Sequence, residues 1–344
     1  MRKKNTIKYL KIFFKLAIAV LAIWVLFKTE KLSKESFIKL FQTNNIPFLF
    51  LSGLAFISSQ LLATSRLILL LRAIDLRIRY SFGLKLTMIG NFFSFVIPGT
   101  VGGDIVKGYY LIDKEESNKG RSSGIIIMDR VLGFFAIVSF AIVAITYLLQ
   151  KDIVKLDSYH RELHLLVIAI CSLFSLFMVF LVFGRNQLFR GKLKAIFLAL
   201  FGNNILYYIA DGFGLILKKP RNVIYCFIIS LLVQLISFAG LLILLNISSA
   251  SMPGIIPLFA VTSIVKLFGA IPVTPGNIGW TELIAAFGFS VIGLDAGAEI
   301  FLYWRLVAVF CSLPGLYLFM AQRRGQALKD RDYSILEPDE TGGI

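Results

Sequence analysis

Long apolar runs dominate the chain. They cover residues 12–28, 47–71, 122–149, 164–183, 223–245 and 300–320, and each contains few charged residues. A helix needs about 20 apolar residues to cross a bilayer, and backbone groups in lipid must form their hydrogen bonds internally. The runs do not alternate in polarity, as the strands of a membrane barrel would. The pattern therefore predicts an all-α integral membrane protein, a polytopic helical bundle of about six full spans.

Two further apolar stretches, 81–111 and 255–294, are interrupted near their centres by Pro and Gly. Both contain Ile-Pro-x-Thr, at Ile97 and at Ile271, followed by glycine and then an acidic residue. Charged connections flank the first stretch, whereas the loop before the second is uncharged, which places their ends on opposite membrane faces. We therefore interpret them as two broken, re-entrant hairpins in an inverted repeat. The alternative is that Pro and Gly kink two ordinary spans.

Basic residues are concentrated in the connections between the apolar runs. The chain has 36 Lys+Arg against 20 Asp+Glu, a formal net charge of +16. In a soluble protein this excess would suggest nucleic acid, but next to spans it sets their orientation. We predict a multi-pass protein of the plasma (inner) membrane with both termini cytoplasmic and no nucleic-acid partner. The basic N-terminus resembles a signal peptide, but no cleavage motif follows it, so we predict an uncleaved first span.

The domain organisation is simple, because no linker divides the chain. We predict a single transmembrane domain over 1–322 and a short polar cytoplasmic tail over 323–344. Residues 29–46 are predicted to form a short interfacial helix with Phe37, Leu40 and Phe41 on one face. Within a basic connection, 196–216 is interpreted as an amphipathic helix pair lying on the membrane, with a further hairpin as the alternative.

The chemistry expected at the breaks is anion binding. A broken helix exposes backbone N–H groups, and the N-terminus of a half-helix carries partial positive charge. Ionisable residues inside spans mark either a ligand path or a structural pair, and arginine offers bidentate contacts to phosphate. The matched acidic residues of the two breaks could orient such cations or bind a proton or an amine. The alternative is that the charges pair with one another and hold the bundle together. The candidate substrate-binding residues are Arg66, Asn91, Pro98, Gly99, Gly102, Gly103, Asp104, Lys107, Asp129, Arg130, Lys266, Pro272, Pro275, Gly276, Gly279, Glu282 and Arg305.

Motifs for covalent chemistry are missing from the sequence. It contains no Gly-x-Ser-x-Gly elbow, no Walker loop and no His-Glu-x-x-His. We therefore predict no catalytic residue, no metal and no cofactor, and we do not expect a pump driven by ATP.

Several of the candidate residues fall into motifs whose order and spacing resemble a known family. These motifs are Asn91-Phe92-Phe93-Ser94-Phe95-Val96-Ile97-Pro98-Gly99, Gly102-Gly103-Asp104 with Lys107, Asp129-Arg130-x-x-Gly133, Pro272-x-x-Pro275-Gly276-x-x-Gly279-x-x-Glu282, and Tyr303-Trp304-Arg305. The chain resembles the flippase-like family typified by the transmembrane region of lysylphosphatidylglycerol synthase (multiple peptide resistance factor). The resemblance covers residues from about 81 to 320 and implies movement of a modified or glycosylated lipid between leaflets. In the bifunctional synthases an aminoacyltransferase domain follows the membrane part, and since this chain stops soon after its last span, we expect no synthase activity.

Our leading hypothesis is a lipid translocase that moves an anionic, aminoacylated or glycosylated lipid between the leaflets of the plasma membrane. Its expected partners are membrane lipids and, as a further candidate, a separately encoded lipid-modifying transferase. One alternative is an integral membrane transferase acting on a lipid-linked substrate, with Asp104 or Glu282 as its base. Another is a transporter of small solutes. The lipid, the energy source, the direction and the oligomeric state stay open at this point.

Overall fold

The computed structural model describes residues 34–96, 102–111, 116–150, 168–177, 214–248, 252–271 and 273–324, with single residues Leu21, Trp24, Leu26, Lys28 and Leu165. Every regular element in these ranges is helical. The α-helices are α1 (Lys34–Leu40), α2 (Ile46–Ala73), α3 (Tyr80–Val96), α4 (Gly102–Leu111), α5 (Glu116–Gln150), α6 (Ile168–Phe177), α7 (Pro220–Ser248), α8 (Ile255–Gly269), α9 (Trp280–Ser290) and α10 (Gly297–Arg324). Short 3-10 helices lie at Thr43–Asn45 and Pro275–Asn277. The all-α prediction is confirmed for this part of the chain.

Four stretches of helix are long and apolar enough to cross a membrane: Thr43–Ala73, Ser122–Tyr147, Pro220–Ser248 and Gly297–Ala321. They correspond to four of the predicted spans. These helices are longer than the apolar runs that predicted them, because a helix can continue through polar residues beyond the membrane. Thus α5 begins at the charged Glu116, and α7 begins at Pro220, a residue favoured at the first helical position.

Other predicted segments lie largely outside the described residues. Of the run 12–28, Leu26 is buried against Ala286 and Ala298. Of the run 164–183, α6 is described, and Phe177 stacks on Phe135 with ring centroids 3.6 Å apart. The predictions for 196–216 and for the tail 323–344 fall almost entirely on residues that the structure does not describe. Within 29–46, α1 forms as expected and buries Leu40, whereas Phe41 follows the helix and is exposed.

Both broken stretches fold back on themselves as helical hairpins. A Cβ atom built on Gly103 of α4 would lie 2.0 Å from the carbonyl oxygen of Gly90 in α3. In the second hairpin, a Cβ on Gly288 of α9 would lie 3.1 Å from Val261 of α8. A kinked continuous span cannot bring its two arms side by side, so that alternative is wrong. The arms have 17, 10, 15 and 11 residues. At about 1.5 Å per residue each is shorter than the hydrocarbon core of roughly 30 Å.

The long helices α2 and α7 pack against each other in antiparallel orientation. At one end of the pair Lys219 forms an ion pair with Asp75 at 3.0 Å. Further along, Arg66 Nη1 donates to Ser230 Oγ at 2.8 Å. Successive contacts thus move backwards along α2 as they move forwards along α7.

The remaining helices pack in matching pairs. The contact of α3 with α10 in one half matches the contact of α8 with α5 in the other. Similarly, the contact of α2 with α10 matches that of α7 with α5. The pair α2 and α5 is likewise matched by the pair α7 and α10. The order of elements also recurs, since a long helix, a broken hairpin and a second long helix follow one another twice. The match is incomplete, because the backbones of α2 and α3 pack closely, whereas α7 and α8 lie further apart and meet through long side chains such as Phe238 and Phe259.

A polar belt crosses the middle of the bundle between two apolar clusters. One cluster includes Leu67 of α2 and Cys226 of α7, and the other includes Phe56 and Phe238 of the same helices. Several polar side chains lie between these positions: on α2 Ser59, Gln60, Thr64 and Arg66, and on α7 Ser230, Gln234 and Ser237. The two long helices therefore present polar groups at half their length, where the bilayer is most apolar.

Candidate substrate-binding cavity

A cavity of about 540 Å³ opens at the polar belt, among α2, α3, α4, α5 and α7. Its volume falls in the range of roughly 300–1,000 Å³ that is usual for small-ligand sites. Three cations and two carboxylates line it, a formal charge of +1. The polar lining side chains are Gln60, Arg66, Thr87, Asn91, Ser94, Asp104, Lys107, Asp129, Arg130 and Gln234.

Arg66 is a buried link between three helices. Its Nε donates to Asp129 Oδ1 on α5 at 2.6 Å, and its Nη1 donates to Ser230 Oγ on α7. Gly133 leaves room for the guanidinium, since a Cβ there would lie 3.4 Å from Arg66 Nη1. The two charged side chains are only 10% and 15% exposed. This pair compensates two buried charges and joins the helices around the cavity.

Arg130 is the more accessible arginine. Its Nε donates to Oδ2 of Asp104, the third residue of α4. The Arg130 side chain is 43% exposed and that of Asp104 is 12% exposed. A guanidinium that pairs with a carboxylate and is partly exposed in a cavity is suited to bind an oxyanion.

Lys107 lies one turn after Asp104 on α4. A Cβ on Gly90 would lie 2.4 Å from Lys107 Cε, so the glycine provides the space through which the lysine stem passes. Lys107 lines the same cavity as Asp104 and Asp129. It thus adds a second cation beside the Asp104–Arg130 pair.

Uncharged groups complete the cavity wall: Asn91 was predicted from the sequence, whereas Gln60 and Gln234 were missed. Asn91 Nδ2 donates to Gln60 Oε1 at 2.6 Å, and Gln234 of α7 also lines the cavity. The spacing between Gln60 and Gln234 equals the spacing between Ile97 and Ile271, which begin the repeated motif. The internal repeat could therefore have identified both glutamines as a matching pair. Gln234 also separates the cavity from Lys266, whose Nζ donates to Gln234 Oε1 at 3.3 Å and to Ser237 Oγ at 2.9 Å.

The second hairpin contains a closed counterpart of the Asp104–Arg130 pair. Glu282 is the third residue of α9; its Oε2 accepts the Gly279 N–H at 2.8 Å and its Oε1 accepts Arg305 Nε. Arg305 also donates to the carbonyl oxygens of Gly276 at 2.6 Å and Asn277 at 3.0 Å. Gly276 and Gly279 have φ angles of +58° and +79°, which glycine adopts without steric cost. We call this set the Arg305 clamp: Gly276, Asn277, Gly279, Glu282 and Arg305.

The two acid–arginine pairs occupy matching places but differ in access. In each hairpin the acid is the third residue of the second helix, and its arginine follows 26 or 23 residues later on the next long helix. Glu282 is 3% and Arg305 14% exposed, so the clamp is sealed while Arg130 faces the cavity. The same chemical pair is therefore open in one half and closed in the other.

The structure divides the predicted site residues into separate groups. Cavity-lining residues are Arg66, Asn91, Asp104, Lys107, Asp129 and Arg130. Gly102 and Gly103 are buried at the start of α4, and Lys266 lies behind Gln234. Gly276, Gly279, Glu282 and Arg305 belong to the clamp, and Pro275 directly precedes it as the first residue of the 3-10 helix. Pro98, Gly99 and Pro272 lie outside the described residues. The alternative that charges pair with one another is confirmed for Arg66–Asp129, Arg130–Asp104 and Arg305–Glu282. Substrate binding by any of them stays a prediction.

Comparison with known protein families identifies a match over most of the chain. The family described as the lysylphosphatidylglycerol synthase TM region matches residues 12–315. None of the curated proteins with which the chain was compared is similar enough to count as a match. The family match extends over both hairpins and over every helix that lines the cavity.

Proposed function

The chain belongs to the family of the lysylphosphatidylglycerol synthase TM region, and we propose that it translocates an anionic, aminoacylated or glycosylated lipid between membrane leaflets. The headgroup binds in the cavity at the polar belt while the acyl chains stay in the bilayer. No covalent bond changes during this movement, so the protein is a translocase and not an enzyme.

The observation that carries the proposal is the open Asp104–Arg130 pair inside a membrane helix bundle. A lipid phosphate entering the cavity meets the Arg130 guanidinium and the Lys107 ammonium at half the length of the long helices. The charges lie where an unaided headgroup faces its highest desolvation cost. Cations held there lower the barrier for an anionic headgroup, and the two carboxylates offer contacts to an amine carried by the same headgroup.

We further propose that the two matching halves form an inverted repeat with two re-entrant hairpins. The antiparallel α2 and α7 and the matched packing pairs support this arrangement. In such proteins, alternating access arises when one half moves against the other around a central site. The open Asp104–Arg130 pair and the closed clamp then represent one of two states, and exchanging their conformations opens the cavity towards the other leaflet.

The proposed setting follows from the charge distribution of the connections. Both termini lie in the cytoplasm, the membrane is the plasma (inner) membrane, and the partners are membrane lipids. A separately encoded transferase that modifies the lipid is a candidate partner for the cytoplasmic side.

A transferase remains the competing function. Of its two candidate bases, Asp104 and Glu282, the geometry argues against Glu282. Both carboxylate oxygens of Glu282 accept hydrogen bonds inside the sealed clamp, so in this conformation the residue does not face the cavity. Asp104 faces the cavity and stays the one candidate base of the original pair. A transporter of small solutes would use the same cavity without selecting for a lipid anchor.

The deciding experiment measures leaflet exchange in proteoliposomes. Purified protein is reconstituted with reporter-labelled lipids that share acyl chains but carry glycerol, lysyl-glycerol, sugar or choline headgroups. A membrane-impermeant quencher then reports how fast each lipid leaves the inner leaflet. We expect exchange that depends on the headgroup and that Arg130→Gln lowers by about tenfold or more, because the loss of a charged hydrogen bond removes roughly 1.5–3 kcal/mol.

The matched control is Lys218→Gln, which removes an exposed cation outside the cavity. It should leave the exchange rate unchanged. Exchange of every lipid at the rate of empty liposomes would overturn the translocase, and a covalently altered lipid in the same vesicles would establish the transferase instead.

A further inference from the structure

A second charged pocket lies at the end of the bundle, away from the polar belt. It has a volume of about 630 Å³ and forms where α2 ends, α3 begins and α7 begins. The charged side chains that line it are Arg72, Asp75, Arg77, Arg79 and Lys219. Four cations against one carboxylate give a formal charge of +3, and none of these residues lines the cavity. We call it the edge pocket.

The backbone at the end of α2 fixes the shape of this pocket. Asp75 has a φ angle of +64°, its N–H donates to the Arg72 carbonyl, and the Leu76 N–H donates to the Leu71 carbonyl. These two hydrogen bonds form a Schellman motif, which ends a helix in a defined turn. Aspartate tolerates the left-handed conformation better than most residues.

The single carboxylate of the pocket is already engaged. Asp75 Oδ1 accepts Lys219 Nζ at 3.0 Å, which ties α7 to the end of α2. The three arginines of the pocket are exposed, and they surround a space large enough for a phosphate group and its ester. Their planar guanidinium groups match the oxygens of a phosphate.

The position relative to the spans indicates where the anion comes from. Arg72 lies in the last turn of a candidate span and Lys219 lies one residue before another. Headgroups of the adjoining leaflet occupy this level, and basic pockets between helix ends bind anionic headgroups. We propose that the edge pocket is a binding site for a phosphate ester, supplied by the headgroup of an anionic glycerophospholipid that is held there independently of the transported lipid.

Binding to delipidated protein in detergent tests this proposal. Native mass spectrometry would count the molecules retained from phosphatidylglycerol, phosphatidylcholine and free glycerol 3-phosphate. We expect phosphatidylglycerol to bind more tightly than phosphatidylcholine. The double variant Arg77→Gln/Arg79→Gln should weaken its binding by about 25-fold, since each cation near a membrane surface is worth roughly fivefold. Asp75→Asn keeps a residue that tolerates the turn and should strengthen binding by about fivefold.

The matched control is Lys218→Gln/Arg221→Gln, which removes two cations of the same face that do not line the pocket. This control should bind phosphatidylglycerol as the unaltered protein does. Equal loss in both double variants, or no loss in either, would overturn the proposal. Tight binding of glycerol 3-phosphate alone would support the phosphate site and identify a soluble ester as its ligand. Because the readout is binding, its result is separate from that of the leaflet-exchange assay.

Discussion

At the scale of single residues, two chemically similar ion pairs should respond differently to the same change. Glu282 is almost fully buried and satisfies Gly279 and Arg305 at once, so Glu282→Gln leaves a buried guanidinium without its counter-charge. Removing one partner of a buried pair costs about 3–5 kcal/mol. We therefore expect Glu282→Gln to lower the midpoint of thermal unfolding in detergent strongly and to reduce the yield of folded protein.

Asp104→Asn is the counterpart in the first hairpin. Arg130 is 43% exposed, and pairs open to solvent are typically worth below about 1 kcal/mol. This variant should unfold at nearly the temperature of the unaltered protein but lose headgroup-selective lipid exchange. If Asp104→Asn instead unfolded as readily as Glu282→Gln, both pairs would be structural. The proposal that the cavity binds a headgroup would then lose its main support.

At the scale of elements, the first hairpin depends on a close approach between helix backbones. A Cβ at Gly103 would stand 2.0 Å from the Gly90 carbonyl oxygen and 2.3 Å from Ser94 Oγ. Backbone atoms cannot move aside as a flexible side chain can. Gly103→Ala should therefore push α4 from α3 and destabilise the protein by about 1–3 kcal/mol.

Gly108→Ala is the matched control, since it makes the same substitution on the same helix. Its Cβ would meet Ile126 at 3.4 Å, an ordinary contact. Alanine is also the better helix former by about 1 kcal/mol. Thermal unfolding should rank Gly108→Ala at or above the unaltered protein and Gly103→Ala below it; equal midpoints for the two variants would contradict the packing described for this hairpin.

The helices and the breaks could be predicted from the sequence, whereas the grouping of the charges could not. Apolar runs determine which segments leave water, and the Pro and Gly clusters mark where α3 and α8 end. The seventeen candidate residues were treated as one site, but the structure separates a cavity from the Arg305 clamp. Which acid meets which arginine depends on helix rotation, and one residue of register turns a side chain by about 100°.

At the scale of the whole molecule, translocation by two halves requires that they move against each other. One contact between them offers a direct test, because a Cβ on Gly53 of α2 would lie 3.5 Å from Cys311 Sγ of α10. A single substitution, Gly53→Cys, therefore places a second sulfur within reach of a native cysteine. The bond formed under oxidising conditions would join the first half to the second.

We expect lipid exchange by Gly53→Cys to stop on oxidation and to return when a reductant is added, because the cross-link holds the halves in the state with the open Asp104–Arg130 pair. Cross-linking is checked by mass spectrometry of the joined peptides. Gly53→Ser, which is similar in size but forms no bond, and Gly53→Cys combined with Cys311→Ser should be insensitive to the oxidant. Full exchange by the cross-linked protein would mean that the α2–α10 contact stays fixed during transport. The movement would then have to be confined to the hairpins, where the Arg305 clamp is the element that must open.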